Sequence, residues 1–189
     1  PERQSDEVDV AILEEEDDEA APASTCGETI AQARCIVGAF IIMMAVGGIT
    51  YTNGLMLIEI MDHYDVSAGT ASSVQATLEA MYGLGTLFAG LLLRKRGATA
   101  TLLLGVAALF LSLIGSAAAP AWYYVWCTHG FCAGTAISLV FVVGTAVPQE
   151  MFAKTNHLGL IAAVVSIGIP TGFSVAVPLL KHSFREHGW

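Results

Sequence analysis

The sequence predicts an all-α membrane protein of five transmembrane helices, and three observations lead there. The 189 residues are 54% hydrophobic and only 13% charged, with a mean hydropathy of +0.64. Soluble domains carry roughly 25% charged residues. The net charge of −9 is concentrated at one end: residues 1–32 hold eleven Asp/Glu and one Arg, whereas residues 33–189 hold seven Lys/Arg and six Asp/Glu. Beyond residue 33 the chain falls into five apolar runs, each longer than the ~18 residues that take a helix across the ~30 Å hydrocarbon core. Strands of a β-barrel would alternate polar and apolar residues, and these runs do not.

Residues 1–32 combine high charge with few aromatic side chains, so they are expected to form an acidic, disordered tail. Val8, Val10, Ile12 and Leu13 in that tail form an acidic-hydrophobic pattern of the kind that docks partners. The first span is expected at about 35–61, behind Arg34, and the second at about 72–93. The second carries one ionisable side chain, Glu79, and ends on Arg94, Lys95, Arg96 and Gly97. The third, at about 98–119, has no charge at all; the fourth is expected at about 121–147 and the fifth at about 157–180. In lipid each run must satisfy its backbone internally, which makes each a helix.

The connections give the topology. The segment 62–71 and Pro120 carry no Lys or Arg, whereas the second-to-third connection is Arg94–Gly97 and the fourth-to-fifth carries Lys154. With a cytoplasmic N-terminus, Arg3, Arg34, Arg94, Lys95, Arg96 and Lys154 lie inside, against Lys181 and Arg185 outside. Positive residues favour the cytoplasmic side, so this orientation is expected. The chain starts on Pro1 rather than Met and stops at Trp189 just after a hydrophobic run, as expected of part of a longer protein. No signal peptide is visible, and the first apolar run is long enough to act as an uncleaved anchor.

The residue types exclude several functions. No basic footprint of a nucleic-acid binder is present. Cys26, Cys35, Cys127 and Cys132 show neither CxxC nor Cys/His metal spacing, and read as small buried apolar side chains. No metal or other cofactor is expected. His-rich boxes and a nucleophile with its base are missing, which argues against an intramembrane enzyme.

Small residues are spaced for close helix contact. Gly130 and Gly134 form a GxxxG on the fourth span, and Gly168 and Gly172 form another on the fifth with Pro170 between them. Because proline removes a helix donor, Gly168–Gly172 also reads as a hinge. Gly38, Gly47, Gly48 and Gly54 punctuate span one; Gly83, Gly85 and Gly90 punctuate span two.

The order of residues resembles a known family. The first hairpin is similar to that of monocarboxylate-transporter-like major facilitator transporters, through Thr52, Asn53, Gly54, Leu55, Met56, Leu57 and Glu59, then Ser67, then Met81, Tyr82, Gly83 and Gly85. Phe152, Lys154 and Leu158 resemble the loop into helix five. Ala176, Pro178, Leu179, Leu180, Gly188 and Trp189 resemble its close. The likeness covers residues 34–189. The Gly/Trp-rich approach to helix one is replaced by Ile30, Ala31, Gln32 and Ala33, and the positive helix-one residue of the lactate carriers aligns near Tyr51. The resemblance implies the first five helices of an N-terminal six-helix bundle, whose partner is a C-terminal half of the same chain. It also implies a secondary active transporter of a small organic solute, a monocarboxylate or other organic anion, coupled to protons by symport.

Candidate residues for that chemistry are few. A carboxylate inside the bilayer costs on the order of 2.5 kcal/mol or more, so Glu79 is a functional candidate by default. Glu79 and His129 each lie about eight residues inside the outer boundary, ~12 Å deep at ~1.5 Å per residue. They are candidates for a protonatable pair, the alternative being a neutral Glu79 hydrogen-bonded to a Ser or Tyr with His129 donating to a backbone carbonyl. Thr50, Tyr51 and Asn53 supply most of span one's polarity and are candidate solute contacts. Glu59, Asp62, His63 and Asp65 read as a solvated loop, and Trp122, Tyr123, Tyr124 and Trp126 as interfacial anchors. Arg94, Lys95, Arg96 and Lys154 are candidates for a cytoplasmic loop and gate. The competing reading is a membrane scaffold or receptor whose acidic tail binds partners.

Overall fold

The computed structural model describes residues 26–187. The chain divides into two units, residues 1–33 and 34–189. Of the first unit only residues 26–33 are described, and they are helical. The Val8–Leu13 motif, Arg3, Gly188 and Trp189 lie outside the described residues. The packed apolar clusters lie in the second unit.

The described residues form helices α1 (Cys26–Tyr51), α2 (Asn53–Tyr64), α3 (Ala68–Ala117) and α4 (Trp122–Val125). A π-helical segment, Trp126–Ala133, leads into α5 (Gly134–Met151), and α6 (Leu158–His187) follows. No strand occurs among them. The chain is an integral multi-pass membrane protein: four stretches, Gly27–Tyr64, Ala68–Ala117, Trp122–Met151 and Leu158–Ser183, are long and apolar enough to span. The second of these supplies two crossings. A straight 50-residue α3 would run about 75 Å at 1.5 Å per residue, far more than one bilayer.

Gly97 is where α3 reverses. Its φ of 79° and ψ of 171° fall in a region open essentially to glycine alone. Packing shows the reversal directly. A Cβ on Gly85 would meet Ser138, and one on Gly105 would meet Leu139 and Val140 at 2.9 Å. On a straight rod those glycines would stand about 30 Å apart, yet both lie against the same turn of α5. The two arms of α3 therefore run antiparallel, giving the five rods that the sequence predicts.

The first rod begins at Cys26, inside the stretch read as acidic tail. Ile30, Ala31, Gln32 and Ala33 are adequate helix formers and simply extend it. The rod breaks at Thr52, whose φ of −81° and ψ of 0° are not helical and whose hydroxyl donates to Gly48 O at 2.7 Å. It ends on Asp65 in the left-handed region (φ 49°), which Asp tolerates better than most residues. Ser67 then caps α3, its Oγ accepting from Thr70 N at 3.3 Å.

Three apolar clusters hold the rods. At one end Ile60, Ala71, Val74, Ala119 and Val125 pack together, and Tyr64 Oη donates to Ala119 O at 2.8 Å. That bond fixes the 65–67 and 118–121 connections at the same end of the bundle. Mid-bundle, Val46, Leu78, Ile137 and Val140 form the centre. Towards the other end Ala39, Met43, Phe152, Ile161 and Val165 join α1, α6 and the 152–157 turn. The outer surface is oily, with Leu87, Phe88, Leu103, Phe110, Leu111 and Leu160 each at least 65% exposed. Such a surface is stable only in lipid or against further protein.

Candidate functional site

Glycines set how closely the rods approach. Gly168 and Gly172 of α6 lie against the α1 backbone. A Cβ on Gly168 would stand 2.6 Å from Phe40 O, and one on Gly172 would collide with Met44 O. Gly130 and Gly134 face the first arm of α3, where a Cβ on Gly134 would stand 2.6 Å from Leu78 O. Gly47 meets Ile169 and Gly48 meets Ala176, whereas Gly38, Gly54, Gly83 and Gly90 have nothing within 4 Å. Pro170 is exposed on α6, and Ser174 Oγ donates to its carbonyl at 2.9 Å.

These approaches place a polar cluster where α1, α2, the π-helical segment and the first arm of α3 meet. His129 is buried (2% exposed), and its Nε2 lies 3.4 Å from Asn53 Oδ1. Asn53 is itself oriented by its side-chain amide, which donates to Thr50 O. Thr50 is buried, and its hydroxyl has no partner among the described residues. The π-helical turn bears directly on His129: the wider turn changes the phase of the side chains within Trp126–Ala133. Residue composition gives no advance signal of it.

Glu79 does not pair directly with His129. It sits on the exposed side of α3, where its Oε1 accepts from Gln75 Nε2 at 2.9 Å. Equal depth in the membrane placed the two residues at one level, but they face different ways: the flanks of His129, Gly130 and Gly134, contact Val74, Thr77 and Leu78 rather than Glu79. Gln75, four residues before Glu79 on the same helix face, is the partner that an i, i+4 reading identifies.

Glu79 instead belongs to an open patch. Tyr82, one turn on, lies within electrostatic range of both Glu79 and Tyr51. Tyr82 meets Phe141 edge-on with ring centroids 5.3 Å apart, and Tyr51 meets Phe173 at 6.5 Å. Tyr51 is 60% exposed and Phe173 42%. The patch thus draws Tyr51 from α1, Glu79 and Tyr82 from α3, Phe141 from α5 and Phe173 from α6. Phe141 and Phe173 carry no sequence mark that separates them from other aromatic residues in the spans. A hollow of about 360 Å³ adjoins Tyr51, Ile169, Pro170 and Phe173. A larger apolar groove of about 610 Å³ runs between α1 and α6 on the side bearing Thr52 and His129.

The remaining candidates lie at the ends. Arg94, Lys95 and Arg96 are exposed around the Gly97 reversal, and Lys154 is exposed in the 152–157 turn. α5 runs alongside the first arm of α3 in the same direction, since Gly134 meets Leu78 and Ser138 meets Gly85. Continuing that register carries Met151 to the Arg94 end, so all four cations occupy one end of the bundle. Tyr123, Tyr124 and Trp126 are exposed beside the opposite turn. Cys127 and Cys132 are exposed rather than buried, and Cys35 is half-buried; all three are free. Among the described residues no three His, Cys, Asp or Glu converge as metal ligands, and the Glu59–Asp65 cluster is no exception.

The model of the Major Facilitator Superfamily matches residues 37–189. No match is found among curated proteins or among solved structures. The matched stretch takes in the first rod from residue 37, the other four rods and every residue of the open patch, and members of that superfamily are transporters. The chain, a multi-pass membrane protein with part of a major facilitator bundle, belongs to the Major Facilitator Superfamily.

Proposed function

We propose that this major facilitator protein moves a small organic anion, a monocarboxylate being the leading case, together with protons. The observation that carries the reading is Glu79, a carboxylate exposed on a membrane-spanning helix, held by Gln75 and one turn from Tyr82 on an otherwise oily surface. An intramembrane carboxylate is costly and is kept where it faces a solute path or a watery cavity. Two phenols nearby supply hydroxyl donors and acceptors for a carboxylate solute, and Phe141 and Phe173 supply apolar walls for its carbon skeleton. Substrates of such transporters bind near the midplane between two halves that rock past each other. The patch draws on four of the five rods, as a wall of such a cavity would.

Charge supports the coupling. An ionised Glu79 repels an anion at short range, and the repulsion grows as the site is desolvated. Protonation removes it, so proton and anion each favour the binding of the other. We take the end bearing Arg94, Lys95, Arg96 and Lys154 as cytoplasmic, following the excess of positive residues there. Arg94, Lys95, Arg96 and Lys154 then stand where an inner gate would close.

The test is uptake of radiolabelled lactate by the full-length protein in proteoliposomes under an imposed pH gradient. Accumulation that follows the gradient in the wild type, and exchange without gradient dependence in Glu79→Gln, would support symport through Glu79. Uptake indifferent to the gradient in the wild type would sink the coupling. Failure of lactate together with other small carboxylates would sink the solute class.

A further inference from the structure

We infer that the structure holds one water molecule in a small site between Gln75 and His129, linking the exposed carboxylate of Glu79 to the buried imidazole. A cavity of about 10 Å³ lies there, walled by Asn53, Gln75 and His129 and otherwise by apolar side chains of α2 and α3. About 10–15 Å³ is what one water requires, provided two to four polar groups receive it. Two buried polar atoms of the residues on this wall, Gln75 Oε1 and His129 Nδ1, are reached by no described protein group. Buried polar atoms are seldom left so, and bound water is the usual partner.

The direction of every hydrogen bond around the cavity fits water. Gln75 gives its amide N–H to the Glu79 carboxylate, so its Oε1 is the acceptor left for the cavity. Asn53 gives its own amide N–H to Thr50 O, so its Oδ1 is an acceptor and the proton facing it belongs to His129 Nε2. A neutral ring with its proton on Nε2 has a bare lone pair on Nδ1. The cavity therefore presents two acceptors, and water is the small molecule with two donors. A hard cation fits poorly, because it takes six or more oxygen ligands and this wall is mostly hydrocarbon.

With water in place the bonds form one directed chain. Glu79 accepts from Gln75, Gln75 accepts from water, the water's second proton goes to His129, and His129 donates to Asn53. Three rods are tied in one circuit, and the tautomer of His129 is set by it. A doubly protonated ring would turn Nδ1 into a donor, and the water would then accept from it while still donating to Gln75 Oε1. This inference stands apart from the choice of solute or coupling ion.

The test is nitrogen NMR of the full-length protein in lipid bilayers with labelled histidine, the His129 signals being identified by their loss in His129→Gln. The expected spectrum has the proton on Nε2, an unprotonated Nδ1 and magnetisation transfer from water to the ring. Gln75→Met, which keeps the volume and removes Oε1, should shift the Nδ1 signal and abolish the transfer. A proton on Nδ1, or signals that ignore Gln75→Met, would overturn the site. Should that variant fail to fold, a high-resolution density map of the wild type decides. A peak about 2.6–3.2 Å from both atoms supports the water, and an empty cavity refutes it. Neither readout involves transport, so failure here and failure of the proposed symport are told apart.

Discussion

His129 Nε2 faces Asn53 Oδ1 at 3.4 Å, so the π-helical turn of the fourth rod is tied to the break in the first. The bond is long, and both partners are buried, at 2% and 8% exposure. Its strength is therefore expected to be modest, while the cost of leaving one partner alone is not. Asn53→Ala should destabilise the bundle by about 1–3 kcal/mol, the usual penalty for orphaning a buried polar group. A double-mutant cycle with Asn53→Leu and His129→Phe should give a coupling of only about 0.6 kcal/mol, as interhelical hydrogen bonds in membranes do. Reversible unfolding in bicelles measures both. Coupling as large as the single-mutant loss would mean that the bond itself, rather than the orphaned ring, carries the effect.

The glycines divide into two sets with opposite expectations. Gly172→Ala places a methyl group into Met44 O, and backbone cannot yield as a side chain can. Forcing extra atoms into a packed contact costs roughly 1–3 kcal/mol, so this variant should loosen α6 from α1. Gly83→Ala meets open space, and the gain in helix propensity should stabilise α3 by up to about 1 kcal/mol. Thermal unfolding of the two variants side by side checks the contrast. Equal effects would count against the close α1–α6 approach.

The rods were legible in the sequence because lipid imposes a length and a composition that few residues outside a span can satisfy together. Gly97 was legible as a boundary because three cations precede it, yet nothing in composition says that the helix continues up to the reversal on both sides. The start at Cys26 was hidden, since Glu28 and the preceding acids give residues 26–33 the look of tail although Ile30–Ala33 favour helix. The candidate site was legible by residue and not by pairing. Glu79 stood out as a charge, but depth alone cannot say which way a side chain points around a helix. The π-helical turn at Trp126–Ala133 shifts that phase again. Gln75 and Tyr82 were within reach of a reading at i±3 and i±4 from Glu79. Phe141 and Phe173 needed the tertiary structure.

Gly97 tests the reversal itself. Its φ of 79° with ψ of 171° strains any residue carrying a Cβ, although nothing lies within 4 Å of the site. The cost of Gly97→Ala is thus one of backbone alone, of order 1–3 kcal/mol. Because the surroundings are open, Gly97→Ala should cost that strain alone, and Gly97→Val more, since a β-branched side chain crowds its own backbone at positive φ. An alanine penalty near zero would show that the reversal does not need the glycine-only conformation. Unfolding midpoints of the two variants supply the comparison.

Sidedness provides the last expectation. α5 follows the first arm of α3 in parallel, from Gly134 beside Leu78 to Ser138 beside Gly85, so the 152–157 turn belongs at the Gly97 end. Tyr64 Oη on Ala119 O holds the other two connections at the opposite end. Lys95, Lys154 and Ser67 are all exposed. In a background without native cysteines, Lys95→Cys and Lys154→Cys should react with a membrane-impermeant maleimide from the same side of the bilayer. Ser67→Cys should react only from the other. The positive-residue excess further predicts that the Lys95 side is the cytoplasmic one, so labelling of intact cells should mark Ser67→Cys and spare the other two. Reaction of Lys95→Cys and Lys154→Cys from opposite sides would contradict the parallel register of α3 and α5. Labelling of those two together on intact cells would leave the register standing and reverse the orientation.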